Sequence, residues 1–423
     1  MVFKKYLRYL WNHLCIFFKN QLCELEKEFL QLISKLISEP VALISDNSNN
    51  QVIAFNPRTM KVMARIPTEG SGPYPIDRSG TNHVYVTTRG SKSLDVIDNK
   101  KLQRILTIPL EHYPRSVTCN KISTLCVVSG RKAPVSSVIE TESHEVVAKV
   151  GSSNNTTPTD YGGSLATGHP FWVADDKFLL LDRANRKIDL FEVSKGTEAY
   201  HVDFMNSINV NSSVHHVLGI PNAQGNERYL FYAISEGAPA EGIPPSITKF
   251  EVTSNGLESK SSIILPTTGV NITDMGSHHA SFHPDGEHIY LGSNEGFTYV
   301  VNRKSMSVVK SIQTGLGNGH TTMIPGRMQG VSTNHVDTFM TIIDLNTHEA
   351  IKNIKVSDLA PASRKTQGHT SSFDPTNDRY FYTTASNEGR FIEIDLEKLL
   401  VSRENVELKD ANSYLIQGVF IWE

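Results

Sequence analysis

The chain has 423 residues, 39% hydrophobic and 20% charged, with 41 basic against 44 acidic side chains and a formal net charge of -3. It is long enough for one large core or two smaller ones, and its balanced charge offers no field for a polyanion. No basic stripe with interleaved aromatics argues for nucleic acid, and four cysteines without a Cys-x-x-Cys-His run leave neither a disulfide scaffold nor covalent c-type haem.

From Phe3 to Ile37, apolar residues recur at three- and four-residue spacing, which predicts an amphipathic helix that Pro40 stops. Residues 1–39 therefore read as a helical segment separate from the rest of the chain. Lys4, Lys5, Arg8 and Lys19 precede the first acid, Glu24, so residues 3–22 suit an anionic membrane surface or a targeting sequence. Packing against the outside of the domain explains the same pattern, and charges interrupt it too often for a spanning helix. The expected location is periplasmic or on the outer side of a membrane, with the cytoplasm left open.

From residue 40 to 423 the period changes to short strands separated by turn residues. The clearest copy runs from His279 through Pro284-Asp-Gly, His288-Ile-Tyr-Leu and Asn294-Glu-Gly to Ile312, reading as four strands and three turns. Comparable hairpins start near Val41, His83, Leu125, Lys177, Arg228, His288, Met328 and Arg379, which makes eight. Four-stranded units set radially form an all-β propeller, each sheet burying both faces against its neighbours. Seven blades remain an alternative if the irregular hairpin from Met328 is not one. The first unit lacks an innermost strand, and the apolar run Tyr414–Trp422 is unassigned, so this C-terminal strand is expected to close the ring. Cys119 and Cys126 flank one predicted turn and read either as a pair across it or as two buried thiols.

Successive units open on Gly168-His169, Val214-His215-His216, Ser277-His278-His279, Gly319-His320 and Gly368-His369. Innermost strands begin on the face to which the second-to-third loops return, so these seven imidazoles should share one rim with Arg89, Arg131, Asp182-Arg183, Glu236, Asn294-Glu295, Asn334-His335 and Asn387-Glu388. A lone histidine there is ordinarily a satisfied polar group. Seven at repeated registers point instead to a metal site, because imidazole is the commonest side-chain ligand for zinc, copper, iron and nickel. The early units carry Tyr74, Arg78, Tyr113 and Arg115 at the equivalent place. That arc is expected to bind a small molecule or anion, with Arg115 offering the planar fork. Glu295 and Glu388 are candidates to orient a ligating imidazole or to act as a base.

Thr81-Asn-His-Val-Tyr-Val-Thr-Thr, Ser93-Leu-Asp-Val-Ile-Asp98 and the Pro284-Asp-Gly turn resemble the YVTN-type propeller repeat. The likeness implies fold rather than function, since such repeats serve enzymes, surface proteins and adaptors. The histidine-lined mouth is similar to the N-terminal domain of nitrous-oxide reductase and to thiocyanate dehydrogenase. That likeness implies a multinuclear copper centre held by His169, His215, His216, His278, His279, His320 and His369. The reductase adds a cupredoxin domain with a two-cysteine copper motif that this chain lacks, which implies an external electron carrier. The reading is a copper-dependent oxidoreductase acting on a small inorganic or sulfur-containing molecule. Two alternatives stand beside it: a non-catalytic propeller that binds protein or metal, and a non-covalent d-type haem with one axial histidine.

Overall fold

Alternating β-branched and aromatic residues between turn formers produce strands with two apolar faces, and such strands are stable only when sheets cover both sides. The computed structural model describes residues 39–78, 82–155, 166–238, 241–267, 277–359, 365–409 and 411–422, without the side chains of Pro75, Ser277 and His278. The chain divides into two compact units. Residues 42–420 form one; residues 1–41 with 421–423 form the other, and the helix expected over residues 3–37 lies outside the described residues. Among the described residues no helix is long and apolar enough to cross a membrane.

Thirty-two described strands make eight antiparallel four-stranded sheets. Counting from the centre outward, blade 2 is β4 (Pro73–Arg78), β5 (His83–Thr88), β6 (Ser93–Asp98) and β7 (Gln103–Pro109). Blades 3 to 8 repeat the pattern, with innermost strands β8 (Pro114–Cys119), β12 (Phe171–Ala174), β16 (Val214–Gly219), β20 (Ser277–Phe282), β24 (Asn318–Ile324) and β28 (Ser372–Asp374). All eight expected hairpins are present, including β25 (Gln329–Asn334) with β26 (Phe339–Asp344) after Met328.

Blade 1 is built from both ends of the chain. Its sheet order is β3 (Lys61–Pro67), β2 (Gln51–Asn56), β1 (Val41–Asp46) and innermost β32 (Leu415–Ile421), as the unassigned C-terminal run requires. Asp46 clamps the seam: its carboxylate accepts the Tyr414 amide at 3.0 Å, the Ser413 hydroxyl at 2.9 Å and the Asn49 side-chain amide at 2.8 Å. At Gly418 a Cβ would fall 2.0 Å from the Leu43 carbonyl oxygen, so only glycine lets β32 approach β1 this closely. On its two sides β32 meets blade 2, where Gln417 accepts the Ile76 amide at 2.6 Å, and blade 8, where Ile416 accepts the His369 amide at 2.7 Å.

The hydrophobic core is divided between sheets rather than gathered at the centre. Leu94, Val96 and Ile108 of blade 2 pack on Val117, Cys126, Val128 and Ile139 of blade 3; Leu179, Leu190 and Val214, Ala233, Phe250 repeat this between blades 4 and 5. Each such wedge is buried on both sides, and deleting one large side chain there costs about 2–5 kcal/mol. The centre is left to polar side chains. Cys119 and Cys126, opposite one another on β8 and β9 (Leu125–Gly130), form a disulfide.

Candidate functional site

Along the innermost strands, pairing with the second strand breaks at one recurring place. In blade 5 Val214 pairs with Ser235 and His216 with Ile234, leaving His215 unmatched. In blade 6 the ladder jumps from Ser277 to Ala280, in blade 7 from Asn318 to Thr321, in blade 3 from Pro114 to Ser116 and in blade 2 from Pro73 to Ile76. The skipped residues include His279, His320, Arg115 and Tyr74. A bulge of this kind abandons strict alternation and re-aims side chains. It thereby brings both His215 and His216 near His279, where a regular strand would present only one of them.

His279 is the hub. Its ring centroid lies 4.9 Å from that of His215, 5.0 Å from His216, 5.4 Å from His169 and 6.0 Å from both His320 and His369. One ligand atom from each of His169, His215 and His279 lies within 4.8 Å of the others, which suits a single transition-metal ion. His335 joins at the edge, its ring 4.1 Å from that of His369. The side chain of His278 is outside the described residues.

The outer nitrogens are held by protein groups. His169 Nδ1 lies 2.7 Å from Ser116 Oγ, and His215 Nδ1 lies 2.7 Å from Glu236 Oε1, the partner that fixes a tautomer and leaves the other nitrogen for a ligand role. His335 Nδ1 lies 3.0 Å from the Gln367 carbonyl, to which it donates. Glycine before histidine has a packing cause in blade 4: a Cβ at Gly168 would lie 2.7 Å from the His215 carbonyl oxygen, to which the His169 amide donates at 2.9 Å.

Beside the imidazoles lies a cavity of about 660 Å³ lined by Tyr74, Arg89, Arg115, Arg131, Arg183 and Lys365, with His215, His369, Glu236 and Tyr414. Five cations face it, and Glu236 is the one acid among its described lining residues. Glu236 is already paired with Arg183 and His215. Arg115 is 2% exposed and its Nε is buried without a hydrogen-bond partner. Burial, then the charges of Arg89 and Arg183, push it well below the usual guanidinium range. Burial likewise lowers Arg89 to about 10 and Lys365 to about 7, and it holds His169 well below the ordinary imidazole value. Arg89 is supported by the Tyr74 ring 3.8 Å beneath its guanidinium and by the Arg115 carbonyl at 3.2 Å; Lys365 Nζ lies 2.8 Å from His369 Nε2. Cations gathered out of water with too few counter-charges are stabilised by an anion that brings charge-assisted hydrogen bonds.

Other residues singled out from sequence lie elsewhere. Arg78, Tyr113 and Glu295 do not line this cavity; Tyr113 stacks under Lys132, whose ammonium is 4.2 Å from its ring. Glu388 is 5% exposed and bonded to Arg390 at 3.0 Å, the Asp358 amide at 2.7 Å and the Ser357 hydroxyl, which commits its carboxylate to blade 8. Lys365 was not legible: it precedes β28 in an irregular segment and carries no spacing signal. His335 was legible only as a member of a second-to-third loop.

No protein-family model and no curated protein matches this sequence. The fold is nevertheless shared with solved structures. The dihydro-heme d1 dehydrogenase NirN is 14% identical, with 90% of this chain and 75% of that one covered at a TM-score of 0.63. A putative 6-phosphogluconolactonase from Bacteroides fragilis is 16% identical, covering 76% and 96% at a TM-score of 0.55. Hydrazine synthase from Kuenenia stuttgartiensis is 15% identical, covering 72% and 92% at 0.50. At such identities the likeness bears on the fold alone and says nothing about chemistry; the count of eight blades rests on this chain's own sheets.

Proposed function

We propose that this propeller is a metal-dependent oxidoreductase whose central imidazoles hold copper and whose cationic cavity receives a small inorganic or sulfur-containing anion. The observation that carries the reading is the convergence of His169, His215 and His279 directly beside five buried or half-buried cations. An all-imidazole donor set accepts several first-row ions, and copper(II) heads their affinity order. Copper bound there would supply one-electron redox chemistry. The chain's own contribution is positioning: Ser116 and Glu236 orient two imidazoles, while Arg115, Arg89 and Lys365 draw an anion against them and exclude water. Electrons would pass to or from an external carrier. The Cys119–Cys126 disulfide favours an oxidising compartment, in keeping with a periplasmic or outer membrane-surface location.

The test is elemental analysis with electron paramagnetic resonance on protein reconstituted with copper(II), followed by turnover of candidate anions with a redox dye. Stoichiometric copper with an all-nitrogen signature supports the reading; protein that retains no copper overturns it. Bound copper without turnover reduces the chain to a metal-binding or protein-interaction module. A second reading has its own observation: the volume and cations of the cavity also suit the carboxylates of a d-type haem, with a histidine as axial ligand. Haem absorption bands in the visible spectrum would favour it.

A further inference from the structure

We infer that a second metal site lies at the opposite end of β20, between blades 6 and 7, formed by His283, Asp285, His288 and His348. It is independent of the central reading. The turn His283-Pro-Asp-Gly joins β20 to β21 (His288–Ser293), and His348 stands in the turn between β26 and β27 (Glu349–Lys355) with φ of 55°. His283 Nδ1 and His288 Nδ1 lie 2.9 and 2.6 Å from the same Asp285 oxygen, Oδ2. The His348 ring lies 5.4 Å from that of His283 and 5.2 Å from that of His288.

The hydrogen bonds assign the donor atoms. His283 Nε2 is 3.0 Å from the Leu345 carbonyl oxygen, which can only accept, so Nε2 carries the proton and Nδ1 of the neutral ring presents a lone pair. That nitrogen faces a carboxylate oxygen across 2.9 Å, and an ion bound there takes the place of the Asp285 amide, 3.2 Å away, as the partner of its lone pair. Two acceptors so close are stabilised by a cation between them. A ring nitrogen anchored on a backbone carbonyl while its partner faces the ion is the usual outer support of a ligating histidine. Asp285 Oδ1 is meanwhile occupied by the amides of Glu287 at 2.7 Å and His288 at 3.0 Å, which aims Oδ2 at the imidazoles. Mixed imidazole and carboxylate donors suit zinc, nickel or copper(II) rather than calcium or magnesium.

The protein contains a natural control. Tyr290 OH lies 2.5 Å from His348 Nδ1, and between blades 2 and 3 Tyr85 OH lies 2.9 Å from His144 Nδ1, with the His83 ring 4.8 Å from that of His144. His-x-Tyr opening a second strand, with histidine in the next blade's outer turn, thus occurs twice as an interblade clasp. In sequence Arg78 and Gly80 stand where blade 6 has His283 and Asp285, so that copy lacks the other two donors.

Equilibrium dialysis against zinc chloride with elemental analysis tests the assignment. Wild-type protein should bind one zinc more per chain than either His288→Gln or His348→Gln, while His83→Gln and His144→Gln should match the wild type. Equal zinc in wild type and His288→Gln would overturn it. Unmutated protein supplies a check that does not depend on folding of the variants: zinc should slow diethyl pyrocarbonate modification of His288 and His348 at least tenfold, read by peptide mass spectrometry. Unchanged modification rates would also overturn it.

Discussion

The two arcs of the propeller centre occupy the same structural position and differ in chemistry. In blades 5 to 7 the break in the innermost ladder carries imidazole, and in blades 4 and 8 His169 and His369 stand just before the innermost strand; in blades 2 and 3 the break carries Tyr74 and Arg115, backed by Arg89 and Arg131. The repeat therefore supplies equivalent mounting points, and one residue type at each decides whether the position offers an imidazole lone pair or a positive charge. Glu236 joins the arcs, since its carboxylate is shared between Arg183 and His215. The contrast lends itself to substitutions that act on one arc and spare the other.

The largest separation is expected from His279→Ala. Removing the ring that neighbours five other imidazoles should abolish most copper binding, whereas His144→Ala, remote from the centre, should leave it unchanged; elemental analysis reads both. Equal copper in the two would mean that the central rings are packing groups. Gly418→Val should disturb both arcs together, because a side chain forced against the Leu43 carbonyl opens the blade 1 seam. A loss of several kcal/mol, on the order of 3 or more, should appear in denaturant unfolding. An unchanged midpoint would show that β32 does not hold the ring closed.

A pH measurement probes the approach to the cationic arc. His112, just before β8, is pushed down to about 4 chiefly by burial, although the Tyr113 carbonyl and Glu111 act the other way. The folded state keeps it neutral, so below pH 6.5 the unfolded chain binds the extra proton. Stability is fully present above pH 6.5 and falls toward pH 4, by about 3 kcal/mol. His112→Gln should flatten that part of the profile; a slope identical to wild type would remove His112 as its source. The smallest effect falls on the anion. Arg115→Lys keeps a charge but loses the fork, and should weaken anion binding by about 1.5–3 kcal/mol, roughly ten- to a hundredfold, with copper content intact. Loss of copper in that variant would merge the two arcs into one structural unit.

Much of the architecture was written in local pattern. Period-two apolar strands, turn residues at each hairpin and an unpaired C-terminal run were sufficient for eight blades and their closure, because strand pairing between chain neighbours follows from short loops. Histidine at repeated registers marked the imidazole arc for the same reason. The choice between pairing and burial for Cys119 and Cys126 was not legible, since spacing places both on one hairpin without stating register; the structure puts them opposite. Lys365 reaches the centre from a segment with no repeat signal, and His335 from a second-to-third loop whose place in the repeat was its one mark.

The sequence by itself determined the strands, the repeat, the seam and the residue types offered at each blade's inner end, since these depend on neighbours along the chain. Only the tertiary structure decided which of those residues meet. The bulges turn His215 and His216 alike toward His279, and packing of eight sheets around a polar centre crowds Arg89, Arg115 and Lys365 into a cavity short of acids. It also commits Glu388 to Arg390 in blade 8. Bulges and sheet-on-sheet packing join residues far apart in the chain, and no local period encodes them.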